Sequence, residues 1–172
     1  MEWYLKPLKR VFLDIDGVLA DFGGGFLNHL SLPKTPESDW DDPRYKRNFD
    51  KVKDDVDFWM NLKPLVSPRD ISYPFLGYVT QRPCPTKVTE RWLDFHLFPA
   101  KEVYTVPGSK LQTLKNLGCE VFVDDNFYTF CELNRNGILC FLATRPHNEK
   151  YPVQEDLRVS SVKEFCNKVR RL

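Results

Sequence analysis

An α/β domain built on a parallel sheet, with a small helical insertion after its first strand, is the fold class that this sequence of 172 residues predicts. Three observations lead there. Short apolar runs rich in β-branched and aromatic residues, without polar alternation, mark strands covered on both faces. From residue 75 onward such runs alternate with helical patterns, as in a parallel sheet. Between residues 20 and 67 that rhythm breaks into glycines, prolines and a charged, aromatic stretch.

The first run, Arg10-Val11-Phe12-Leu13-Asp14, opens the sheet, and Phe75-Leu76-Gly77-Tyr78-Val79-Thr80 follows the break. Pro85 to Leu97 then reads as a helix with Val88, Trp92 and Phe95 on one face, which assigns Trp92 and Phe95 to the core. Glu102 to Val106 is a weaker strand. Gly108 to Leu117 is a helix joining Leu111 to Leu114 and stopping at Gly118, a C′ residue. Strands Glu120 to Asp125 and Ile138 to Leu142 come next. The tail begins with the capping box Ser161-Val162-Lys163-Glu164 and carries Val162, Phe165, Cys166, Val169 and Leu172 at helical spacing, its Lys168 to Arg171 lying on a solvated face. Within the break, Asp42-Pro43 reads as N-cap and first turn of a charged helix running through Lys53. The expected division is a core of residues 1–19 and 68–172 with a cap of residues 20–67.

Composition narrows the function. Lys and Arg number 25 against 24 Asp and Glu, so a net charge of +1 argues against a polymeric nucleic-acid partner. Five cysteines without a CxxC pair give neither a zinc site nor a disulfide framework, and packing as reduced thiols is their default. No apolar run reaches bilayer length and the first residues lack a signal-peptide core, so a cytoplasmic protein with no membrane partner is expected. His29, His96 and His147 have no carboxylate or cysteine at ligand spacing, so surface or packing roles are expected of them.

The residues at the strand ends carry the chemistry, because ligands of parallel α/β sheets bind beyond the carboxyl ends of the strands. Asp14 and Asp16 follow the first strand, Thr80 ends the second, Lys110 opens a helix, and Asp124 and Asp125 end the strand after it. Converging carboxylates repel by about 4 kcal/mol per pair at ~4 Å and an effective dielectric near 20. A hard divalent cation such as Mg²⁺ removes that cost, and with Lys110 and Thr80 it makes a receptor for phosphate.

Asp14-Ile15-Asp16-Gly17-Val18-Leu19-Ala20-Asp21 resembles the first motif, DxDG[TV], of the haloacid dehalogenase (HAD) superfamily, and Thr80, Lys110 and Asp124-Asp125 follow in that family's order. A response-regulator receiver uses similar residues in another order. Within the superfamily, Asp16 to Phe22 with Phe26-Leu27, Phe58 to Leu65, Arg91-Trp92-Leu93 and His147-Asn148 resemble the 5′(3′)-deoxyribonucleotidases. The chain departs from them at Thr80-Gln81, where they have Thr-Ser, and at Gly108-Ser109-Lys110, where they have Arg-Asp-Lys.

The resemblance implies a three-layer α/β/α Rossmannoid core with the cap above its strand ends. It implies Asp14 as nucleophile, forming an aspartyl-phosphate, and Asp16 as the acid that protonates the leaving oxygen and then activates water. Mg²⁺ would sit on Asp14, the Asp16 carbonyl and Asp124, with Asp125 beside them, and Thr80 and Lys110 would bind phosphate oxygens. Gly17 of the first motif, and Gln81 and Arg82 next to Thr80, are further candidate substrate contacts. Phe22, which matches a base-stacking position, and Trp40 in the cap are candidates for the nucleobase, with Phe58 and Trp59 nearby. The expected activity is hydrolysis of nucleoside monophosphates by a monomer or homodimer. A phosphatase for another small metabolite or a nucleic-acid 3′-phosphate, and an inactive nucleotide-binding protein, are the alternatives.

Overall fold

Unbroken apolar runs do become the inner strands of one sheet. A computed structural model describes residues 8–33 and 43–172, so Asp42 and Trp40 lie outside the described residues. The strands are β1 (Val11–Leu13), β2 (Gly77–Thr80), β3 (Glu102–Thr105), β4 (Val121–Asp124), β5 (Leu139–Ala143) and β6 (Arg158–Val159). All neighbouring pairs are parallel, in the order β3-β2-β1-β4-β5-β6. The chain grows outward from β1 to β3, crosses back, and continues on the other side from β4. The crevice between β1 and β4 is therefore the switch point at which such sheets bind ligands.

The helices are α1 (Phe22–His29), α2 (Pro43–Asn48), α3 (Val56–Met60), α4 (Thr86–Phe95), α5 (Leu111–Asn116), α6 (Phe127–Arg135) and α7 (Val162–Val169). Alternation along the strands splits the core in two. Val11, Leu13, Tyr78, Val121, Val123 and Phe141 face one layer with Trp92 of α4 and Phe165 of α7; Phe12, Val79, Phe122, Cys140 and Leu142 face the other with Leu114 of α5 and Phe130 and Leu133 of α6. α4 serves the leftward growth of the sheet, and α5 and α6 serve the rightward, so right-handed crossovers place them on opposite faces. Phe22, Phe26, Tyr45, Phe58 and Trp59 of α1, α2 and α3 join the first layer, so the segment between β1 and β2 packs into the core of the sheet.

Several local expectations need correction. The helix beginning at Pro43 runs only to Asn48 and continues as a 3₁₀ turn, Phe49–Lys51. Phe95 is 71% exposed, against the core role its spacing gave it. The reason is the turn that follows: Leu97 adopts φ 60°, and Phe98 folds back to stack on Trp92 at 5.5 Å and 20°, taking the place meant for Phe95. The helix α6 and the short β6 have no counterpart among the expected elements. At the tail, Ser161 caps α7 as predicted, but Glu164 reaches the amide of Ser160, one residue earlier than a capping box requires. The five cysteines are free thiols, four of them buried.

Candidate active site

The loop after β1 is a tight turn fastened on three sides. The amides of Val18, Leu19 and Ala20 all donate to the Ile15 carbonyl, and Gly17 donates to the Ala20 carbonyl at 2.8 Å. Leu65 donates to Leu19, and Asp21 donates to Lys63, which stitches the turn to the segment before β2. Gly17 has φ 73°, and a Cβ there would lie 1.8 Å from Oδ2 of Asp125, so only glycine lets the turn close over that carboxylate. Arg145, after β5, donates through Nε to the Gly17 carbonyl at 2.6 Å.

This turn and the ends of β2 and β4 bring together the residues singled out from sequence. Asp14, Asp124 and Asp125, all buried, each offer one oxygen within 4.8 Å of the others. Lys110, N-cap residue of α5, is buried between two of them, with Nζ 2.8 Å from Oδ1 of Asp14 and 2.7 Å from Oδ2 of Asp124. Asn126 donates its amide to the other Asp124 oxygen at 2.8 Å. Burial raises Asp14 well above the ordinary carboxylate range, a push that Lys110 opposes and that Asp124 and Asp125 reinforce. Burial raises Asp124 likewise. Burial presses Lys110 towards neutrality, but Asp124 and Asp14 outweigh it and hold the ammonium charged. Three carboxylates with one lysine leave an excess of buried negative charge, and all three are hard oxygen donors. That donor set fits Mg²⁺.

Asp16 points elsewhere. Its carboxylate is held by Arg82, whose Nε lies 3.1 and 3.0 Å from the two oxygens and whose Nη2 lies 2.7 Å from Oδ1. Thr80 is buried beside them, and its hydroxyl accepts the amide of Arg82 at 3.3 Å. The Gln81 amide donates to the carbonyl of Gly108 at 2.5 Å, joining the loops after β2 and β3. Gln81 and Arg82, read from sequence as candidate substrate contacts, thus direct these side-chain bonds to the protein itself, although both line the cavity.

Above these groups lies a cavity of about 430 Å³, lined at its floor by Asp14, Asp16, Thr80, Lys110, Asp124 and Asp125 and on its upper side by Phe22, Tyr45, Lys46, Phe49, Asp50 and Trp59. That volume falls within the range of small-molecule sites, roughly 300–1,000 Å³. Phe22 does line it, but is itself buried among Phe26, Tyr45, Phe49, Phe58 and Trp59. Tyr45 and Phe49 were not singled out from sequence, and their helical spacing in a charged segment gave no signal.

His96 packs against Trp92 as expected, but the other two histidines have carboxylate partners that spacing did not show. His147 lies 3.1 Å from Oδ2 of Asp125 and 3.2 Å from its carbonyl oxygen, and His29 lies 3.1 Å from Asp55. Beside His147, the buried Asn148 donates to the carbonyls of Asp125 and Ala143, both at 2.8 Å. Partners 22 residues apart are invisible to ligand-spacing arguments; only the parallel neighbourship of β4 and β5 brings these loops together.

Among the described residues, no helix is long and apolar enough to cross a membrane. No family model and no curated protein matches the chain. Solved structures do. An L-2-haloacid dehalogenase aligns over 96% of this chain and 100% of its own, at 10% identity and a TM-score of 0.58. A HAD-superfamily hydrolase of subfamily IA, variant 1, from Geobacter sulfurreducens aligns over 94% and 99%, at 14% identity and a TM-score of 0.52. At such identities the likeness is one of fold. The chain has the α/β fold of the HAD-like hydrolases, with a buried aspartate cluster at its strand ends.

Proposed function

We propose that the protein is a Mg²⁺-dependent phosphomonoesterase for nucleoside monophosphates, with deoxyribonucleotides preferred on the strength of the sequence resemblance. One observation carries the reading: a single cavity has an acidic floor with one buried lysine and an upper wall of aromatic rings. The floor suits a phosphate and a divalent cation. The wall suits a base, whose stacking on aromatic rings is worth ~1–3 kcal/mol.

Asp14 is the nucleophile. One of its oxygens attacks phosphorus, the P–O ester bond breaks, and the departing electron pair takes a proton from Asp16. Water then attacks the aspartyl-phosphate while Asp16 receives its proton, and inorganic phosphate leaves. Lys110 opposes the burial that favours the protonated form of Asp14, and it neutralises charge at the phosphate. The Thr80 hydroxyl donates to a phosphate oxygen. Mg²⁺, held by Asp14, Asp124 and the Asp16 carbonyl with Asp125 beside them, would offset the negative charge of both the floor and the incoming dianion. The aromatic residues of α1, α2 and α3 exclude water and leave room for one nucleotide rather than a polymer.

Initial rates across ribo- and deoxyribonucleoside 5′- and 3′-monophosphates, with other small phosphate esters and a 3′-phosphorylated oligonucleotide as competitors, test the reading. Phosphate release from nucleoside monophosphates that EDTA abolishes is expected. No release from any of them, or release indifferent to EDTA, overturns it.

A further inference from the structure

We infer that Arg82 is the positioning residue for Asp16, and that through it the roofing helix α3 helps to aim the proton donor. The inference rests on the roles of Asp14 and Asp16 proposed above. Arg82 follows β2 and its side chain is completely buried, an unusual place for a guanidinium. Two of its nitrogens fork onto Asp16, contacting both carboxylate oxygens, so the plane of that carboxylate is fixed. The guanidinium carbon lies 5.3 Å from the ring centre of Trp59 and 5.1 Å from that of Trp92. Both rings are themselves tethered, Trp59 through its indole N–H to the Lys53 carbonyl at 3.0 Å and Trp92 to the Leu62 carbonyl at 2.8 Å.

The third nitrogen, Nη1, is buried without a hydrogen-bond partner among the described residues. It presents nothing to solvent. A charged group seated at that cost, against two anchored rings and with its bonds spent on one carboxylate, acts through the carboxylate. Its effect belongs to the step in which Asp14 bonds to phosphorus, the ester bond breaks, and the proton of Asp16 passes to the departing oxygen. An alkoxide leaving group needs that proton; a nitrophenolate does not.

The test compares a deoxyribonucleoside monophosphate with p-nitrophenyl phosphate for Arg82→Lys, which keeps the charge without the fork, and Arg82→Gln. Both variants are first checked for folding by circular dichroism. In each variant that folds, kcat/KM on the nucleotide should fall about 10- to 100-fold more than kcat/KM on p-nitrophenyl phosphate, within the range of general acid catalysis. That ratio reports ester cleavage and leaves out the water step, in which Asp16 serves both substrates alike. KM should stay nearly unchanged for both substrates. Adding Arg82→Lys to Asp16→Asn should cost nothing further. Equal losses on both substrates, with raised KM and weaker inhibition by inorganic phosphate, would make Arg82 a phosphate ligand and overturn the inference. So would equal losses with unchanged KM, or a full additional loss in the Asp16→Asn background. Wild-type protein that hydrolyses both esters while its Arg82 variants show no substrate bias refutes this inference alone. Wild-type protein inactive on both refutes the proposed function as well.

Discussion

Replacing Asp14 by Asn should make the metal-free protein more stable while abolishing turnover. Asp14 attracts Lys110 across 2.8 Å, which at an effective dielectric near 20 is worth ~6 kcal/mol. It also repels Asp124 and Asp125, whose ligand oxygens lie within 4.8 Å, by at least ~3.5 kcal/mol each on the same scale. Attraction and repulsion therefore nearly cancel, and the cost of burying the charge, several kcal/mol after relaxation, is left unopposed. Asn keeps the shape and loses the charge, and Lys110 retains Asp124. After allowing about 1–3 kcal/mol for imperfect pairing of the new amide, a net gain of about 1–3 kcal/mol remains. For a chain of this length that raises Tm by roughly 3–8 °C.

The sign with pH follows from the same group. The folded protein holds the Asp14 proton above the ordinary value of 3.8, where the unfolded chain has released it. The stability of the metal-free wild type therefore falls as pH rises from 3.8 through the raised value, and Asp14→Asn flattens that fall. Thermal denaturation followed by circular dichroism in EDTA and in excess Mg²⁺ measures both. Mg²⁺ at 100 times its Kd should stabilise the wild type by about 2.7 kcal/mol, and the variant far less. A variant that melts below the wild type in EDTA would refute the charge argument, because the Lys110 pair would then outweigh burial and repulsion together.

Gly17→Ala should abolish both activity and stabilisation by Mg²⁺ in the same denaturation assay, since its Cβ has to displace the Asp125 carboxylate. Phe98→Ala should cost about 3–5 kcal/mol in chemical denaturation, whereas Phe95→Ala should stay within about 0.5 kcal/mol; equal effects would contradict the exchange of roles at the end of α4. Burial pushes the Cys119 thiol up to about 12 and holds Cys140 well above its ordinary value. Of the five thiols only the half-buried Cys131 should therefore react quickly with iodoacetamide, as read by mass spectrometry. Glu164 is held below its ordinary value of 4.5, first by the Ser160 amide and also by the Ser160 hydroxyl and Lys168. It contributes stability above pH 4.5 that is lost as pH falls through the lowered value, so Glu164→Gln should flatten the acid limb of a Tm–pH profile.

The inner strands were legible because a strand buried on both faces has no polar positions to blur it, as Val121-Phe122-Val123 shows. The two-residue β6 has no room for a pattern. α6 did carry a signal, Asn126 as N-cap followed by Phe127, Phe130 and Leu133, but the acidic pair immediately before it reads as the end of a strand. α1 hides for a different reason: three glycines in eight residues contradict helix propensity. They serve close packing instead. A Cβ at Gly24 would meet Oδ2 of the capping Asp21 at 2.3 Å, and one at Gly25 would meet Leu62 at 2.5 Å. Tertiary contact overrides propensity there, and no local window contains it.

The same distinction separates the two halves of the candidate site. Asp14, Thr80, Lys110 and Asp124 sit where elements begin or end, so the sequence that makes each element also points to its polar terminus. Their convergence then follows from the parallel sheet alone. Arg82 and Asp16 lie 66 residues apart, and their fork requires β2 to neighbour β1, with α3 and α4 each supplying a ring against the guanidinium. Which group bears the charge is a local property; which group restrains it is a property of the topology. Substitution of Trp59, remote in sequence from every carboxylate of the floor, should therefore reach the proposed proton donor through Arg82.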